Sequence, residues 1–150
     1  MASLLTYLAC ERVSIEQETN AVSIMGVLET INVAVPQGAP PTPPKVFLPM
    51  RWAVYSLWQK EPRDTGEFSS QSILFAANGE KLLETPVANW GFKEAQFRHQ
   101  VIDRIEGFPI WTPGRLQLTL MLKGPGDQAF REYKSLQLLL LHQDTPRTTH

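Results

Sequence analysis

The sequence predicts an all-β protein, a single antiparallel β-sandwich of about seven or eight strands with little or no helix. Three observations predict it. Leu116, Leu118, Leu120 and Leu122 alternate with Gln117, Thr119 and Met121, the period-two pattern of a strand with one buried face. Short apolar runs of this kind recur along the chain, separated by Gly, Pro, Asn and Asp signals. No segment carries the 3.6-residue period of a helix, and residues 89–96 hold a short turn at most.

Taken in order, Leu4 to Ala9 read as a first strand whose last inward residue is Cys10, a small hydrophobe. Glu16 to Asn20 make a polar turn into the run from Ala21 to Val35, in which Gly26 marks a bulge or a close backbone approach. Residues 36–45 form a proline-rich crossover. Leu48, Met50, Trp52, Val54 and Trp58 share one face of a long strand over 46–59, with Ser56 the gap. Phe68 to Ala77 is a further strand, and Pro86 limits any strand over 81–88 to an edge or an end. Phe97, Val101 and Ile105 share a face of a strand over 95–106, with His99 and Asp103 between them. The strand over 115–123 turns at Gly124-Pro125-Gly126-Asp127 into a last strand, Arg131 to His142, closing an antiparallel hairpin. Leu139 and Leu141, on the face opposite Leu138 and Leu140, predict that the end of this strand is covered on both sides. One domain is expected over residues 1–142, followed by a flexible C-terminal tail over 143–150.

Composition narrows the classes. The 150 residues are 43% hydrophobic and only 19% charged, against roughly a quarter charged in an average chain, so a core can be filled under a thinly charged surface. Fourteen Lys and Arg stand against fifteen Asp and Glu, and that balance argues against a nucleic-acid partner, which calls for a basic face. No apolar run approaches the roughly 18 residues of a membrane helix, so no membrane partner is expected. Ala9 before Cys10 invites a lipoprotein-signal reading, but no basic residue precedes Arg12 and the apolar stretch is short. A single cysteine calls for no oxidising compartment, and a cytoplasmic location is the expectation.

Chemistry is sparse. Cys10, His99, His142 and His150 form no pair with metal-ligand spacing, so no metal and no cofactor are expected. No serine stands in a nucleophile elbow, and the acid pairs Glu16 with Glu18 and Asp103 with Glu106 read as solvated surface charge. An enzyme would require His99, Asp103, His142 and Cys10 to converge in a pocket. The aromatics hold more interest. Trp90 and Phe92, and Phe108 and Trp111, fall in loops predicted over 89–92 and 107–114. They read first as a plug over the core's open end, and second as anchors for a protein partner or a sugar ring. Six of the twelve prolines lie between Pro36 and Pro49, where Pro40, Pro43 and Lys45 match P-x-x-P-x-K. That segment reads first as a stiff crossover and second as a docking motif in polyproline conformation.

Cys10 followed by Glu18-Thr19-Asn20 and the strand Ser23-Ile24-Met25-Gly26-Val27-Leu28-Glu29-Thr30-Ile31 resembles an uncharacterised family of small bacterial proteins. Ile105-Glu106-Gly107-Phe108-Pro109-Ile110 and Gly114-Arg115-Leu116-Gln117-Leu118 are similar to that family as well, with a final hairpin closing the domain. The resemblance implies an immunoglobulin-like sandwich and brings no activity, cofactor or catalytic residue. This chain departs from it in its longer run of prolines. The functional expectation is a non-enzymatic protein-interaction or assembly component. The alternative is a small-ligand or carbohydrate-binding module using Trp90 and Trp111.

Overall fold

The computed structural model describes residues 2–36, 46–110 and 113–145 and builds them into ten strands. These are β1 (Ser3–Ile15), β2 (Val22–Val27), β3 (Thr30–Pro36), β4 (Val46–Gln59), β5 (Phe68–Phe75), β6 (Lys81–Glu84), β7 (Ala88–Trp90), β8 (Arg98–Ile110), β9 (Gly114–Lys123) and β10 (Arg131–Thr145). Among the described residues there is no helix, as the all-β class requires. The strands form two curled sheets. One runs β2-β1-β4-β8, and the other runs β3-β10-β9-β5-β6 with β7 also on β5.

Several expectations change. The strands number ten rather than seven or eight, because the run over 21–35 splits in two and the region over 81–90 holds two short strands. The pairing is not wholly antiparallel: β3 runs parallel to β10, with Ile31 opposite Leu140 and Val33 opposite His142. The cause is the two-residue link Leu28-Glu29, which crosses from one sheet to the other instead of turning back. Leu28 N–H donates to the Ala9 carbonyl of one sheet, and the Leu139 N–H of the other donates to the Glu29 carbonyl, both at 2.8 Å. β10 also runs past His142, pairing Thr145 with Pro36, so the tail expected from residue 143 begins as strand. Cys10 lies inside β1 rather than at its end.

The main core lies between the sheets. Ala9, Trp52, Val54 and Phe108 meet Ile31, Val33, Leu74, Leu116, Leu118, Leu138 and Leu140 from the facing sheet. The leucine alternation of β9 works as predicted, with Gln117 exposed and Leu116, Leu118, Leu120 and Leu122 buried. A second cluster fills one end with Trp58, Phe68, Trp90, Leu120 and Leu122.

β4 is the departure from a one-faced strand. Trp52, Ala53, Val54, Tyr55 and Ser56 are buried in succession, which an alternating strand permits only when both faces are covered. On the outer face, Cys10, Val13, Ala53 and Tyr55 form a third cluster with Leu8, Val22, Ile24, Leu57 and Ile102. The cover comes from β1 itself. Its first half pairs with β4 as far as Cys10 opposite Ala53, and its second half continues with β2 alone. Val13 from that second half packs back onto Ala53 and Tyr55.

Gly26 makes the overlay possible. Its φ of +67° suits glycine, and the Glu11 side chain lies across it where a Cβ would sit. The bulge or close approach expected at this glycine is thus a close approach by a side chain.

Burial on both faces of β4 has a stability consequence. Leu118→Ala in the main core and Tyr55→Ala on the outer face should each cost about 2–5 kcal/mol, while Gln117→Ala should cost less than about 1 kcal/mol. Urea denaturation checks this; a Tyr55→Ala cost as small as that of Gln117→Ala would contradict the outer core.

Candidate binding groove

The structure places Trp90 and Phe108 in strands rather than loops, while Phe92 lies in the link after β7. Phe108 belongs to β8, opposite Leu48, and is 0% exposed, tilted against Trp52 at 5.2 Å. Trp90 belongs to β7, opposite Phe68, and is 6% exposed. Its indole stacks on Phe68 at 4.8 Å and on His99 at 5.0 Å, with Phe92 at its edge. Its N–H donates to Ser70 Oγ at 3.0 Å. Trp90 and Phe92 therefore close the end of the core, and Trp90 has no open ring face of the size a sugar needs. Trp111, Pro40, Pro43 and Lys45 lie outside the described residues.

Cys10, His99, Asp103 and His142 do not converge on one pocket. Cys10 faces the outer cluster, while His99 and Asp103 face the inner side of β8. His99 sits at the Trp90 end, and His142 is opposite Val33 at the other end of the core. Among the described residues no three His, Cys, Asp or Glu groups are placed to hold a metal ion.

Asp103 is not the solvated strand charge that the sequence suggests. It sits opposite Val54, on the inner side of β8 with Val101 and Ile105. Burial pushes its carboxyl up to about 6. Tyr7 on β1, across β4 from Asp103, shares a 2.9 Å hydrogen bond with Ser72 of the facing sheet. Burial, and after it the charge of Asp103, drives the Tyr7 phenol well above its usual range, the Ser72 bond opposing them. His99 is shifted the other way: burial, and then the charge of Lys93, lowers it.

The outer side of the four-stranded sheet offers a different feature. A groove of about 410 Å³ is lined by Glu11, Arg12, Val13, Arg51, Trp52, Ala53, Arg104, Ile105 and Glu106. That volume falls within the range of ligand clefts. Three strands each supply one arginine to it. Arg104 lies beside Ala53 in the β4–β8 register, and its guanidinium donates to the Val13 carbonyl at 3.5 Å. Arg51 pairs with Glu106 at 3.6 Å, with both side chains more than four-fifths exposed, so the pair is weak and easily exchanged. Arg12 has no carboxylate partner among the described residues, and the Glu11 side chain is laid over Gly26. Sequence reasoning missed this site, because residues 12, 51 and 104 come together only through the bend of β1 and the pairing of β4 with β8.

No family model matches the chain, and no curated protein matches it. Among solved structures, it is similar to the Pseudomonas fluorescens alkylpurine DNA glycosylase AlkC bound to DNA containing an abasic-site analogue. The TM-score is 0.44 and the identity 10%, over 90% of this chain and 30% of that one. A likeness at that level carries no functional argument.

The inward carboxylate sets a pH test. Its pKa is higher in the folded chain than the roughly 3.9 of a free aspartate, so the folded state binds the extra proton. Stability from this group is present at low pH and is lost as pH rises through about 6. Asp103→Asn should therefore stabilise the protein by about 1 kcal/mol near pH 7.5, a figure discounted for the group's partial exposure, and by about a third of that near pH 4.5. Urea denaturation of both proteins at the two pH values checks this. The difference between them cancels the opposing titration of His99, and a gain that is the same at both would contradict the inward carboxylate.

Proposed function

We propose that the chain is a protein-binding module with an immunoglobulin-like arrangement, an adaptor or assembly component rather than an enzyme. The observation that carries this reading is the groove over β1, β4 and β8. Its three arginines are presented from a doubly packed sheet, and arginine is enriched where proteins bind one another. A rigid floor lowers the ordering cost of association, and the β4 backbone supplies such a floor, pinned from the inner side by Trp52, which is buried with its N–H donated to the Gly107 carbonyl at 2.9 Å. The lone, covered Cys10 fits a reducing compartment such as the cytoplasm. The reading that uses loop tryptophans for a sugar loses one of its two platforms with the burial of Trp90, and Trp111 lies outside the described residues.

Position-specific crosslinking tests the proposal. A photo-crosslinking side chain at Glu106 in the groove should yield a discrete protein adduct in cells. The same group at Gln117, exposed on the far sheet, should not. No adduct from position 106, or the same adducts from both positions, would contradict the reading.

A further inference from the structure

We infer that the groove takes an acidic peptide segment, the part of a protein partner that supplies carboxylates to Arg12, Arg51 and Arg104. The inference rests on the protein-binding reading above and names the chemistry of the partner. Charge decides it. The lining holds three guanidinium groups against two carboxylates, and those two carboxylates do not neutralise it. Glu11 is turned onto Gly26, and Glu106 holds Arg51 only through an exposed contact of 3.6 Å. Among the described residues, that leaves Arg12 without a carboxylate and Arg104 with a backbone carbonyl at 3.5 Å. A guanidinium is a planar fork that matches a carboxylate with two parallel hydrogen bonds.

The same lining disfavours a nucleic acid. A polyanion needs a continuous basic surface, whereas here Glu106 stands among the arginines and the whole chain carries a formal charge of −1. Discrete carboxylates spaced along a peptide can avoid Glu106 and still reach the arginines. Val13 and Ala53, the apolar side chains of the lining that belong to the outer cluster, suit the aliphatic stems of glutamate side chains.

Fluorescence anisotropy with a labelled oligoglutamate peptide tests the inference on the full chain. The peptide should bind, and the affinity should fall as salt rises. Arg12→Gln and Arg104→Gln should each weaken binding about tenfold, with the thermal midpoint unchanged for the exposed Arg12 variant. Arg63→Gln, outside the groove, should leave binding as it was. Equal binding of an oligolysine peptide, no effect of either groove variant, or tighter binding of a single-stranded oligodeoxynucleotide would overturn it. The two readings fail separately. An adduct from position 106 without oligoglutamate binding leaves the protein-binding reading standing and removes the acidic segment. Oligoglutamate binding through Arg12 and Arg104 without an adduct leaves an anion groove and removes the protein partner.

Discussion

The fold depends on a single strand being covered on both faces. β4 carries Trp52, Val54 and Trp58 into the space between the sheets and Ala53 and Tyr55 into the outer cluster. A sheet at the surface of an antiparallel protein usually keeps one face for solvent. This one is covered because β1 leaves β4 after Cys10 and brings β2 with it over the outer face. The bend requires a place for the Glu11 side chain, and Gly26 supplies it by having no Cβ. The arginine groove follows from the same bend, since Arg12 is next to Val13 in the part of β1 that turns over and Arg104 ties to Val13 from below.

The inner space is not uniformly apolar. Ser56 and Ser70 receive the indole N–H groups of Trp58 and Trp90, both at 3.0 Å, and Ser72 partners Tyr7. No buried side-chain polar atom lacks a partner among the described residues, so the large aromatics are held in fixed orientations as well as packed. Asp103 is the expensive member, an inward carboxylate on β8, the last strand of its sheet. Inward charges on edge strands keep edges from pairing with other chains, and that is a physical reason to tolerate its cost.

Much of this was legible in the sequence, and the rest was hidden for identifiable reasons. The alternation of Leu116 to Leu122 specified the inward face of a strand, and all four leucines are buried in β9, although Thr119 on the other face is buried as well. The even positions of β4 were read correctly as inward. Its odd positions, Ala53, Tyr55 and Leu57, are also apolar, and that second parity was the available sign of a covered outer face. Asp103 has the same parity as Val101 and Ile105; grouping Phe97, Val101 and Ile105 at intervals of four concealed it. Phe97, outside the strand, is 64% exposed. The parallel pairing of β3 with β10 left no local trace, because it depends on which sheet the link Leu28-Glu29 enters. Trp90 and Phe108 looked like loop residues because glycine and proline surround them, yet both are strand residues that fill core ends.

The overlay on β4 makes the groove a rigid feature of the fold. The chain's one cysteine reports on that overlay directly, because Cys10 is opposite Ala53, is 0% exposed, and has its thiol pushed up by burial. A thiolate is the reactive form, so cover and raised pKa both protect it. Labelling of the native protein with a thiol reagent, followed over increasing urea, is the most direct measurement. Cys10 should react only as fast as the whole chain unfolds, with the urea dependence of global unfolding. Rapid, complete labelling in the absence of urea would contradict the covered outer face and the groove built on it.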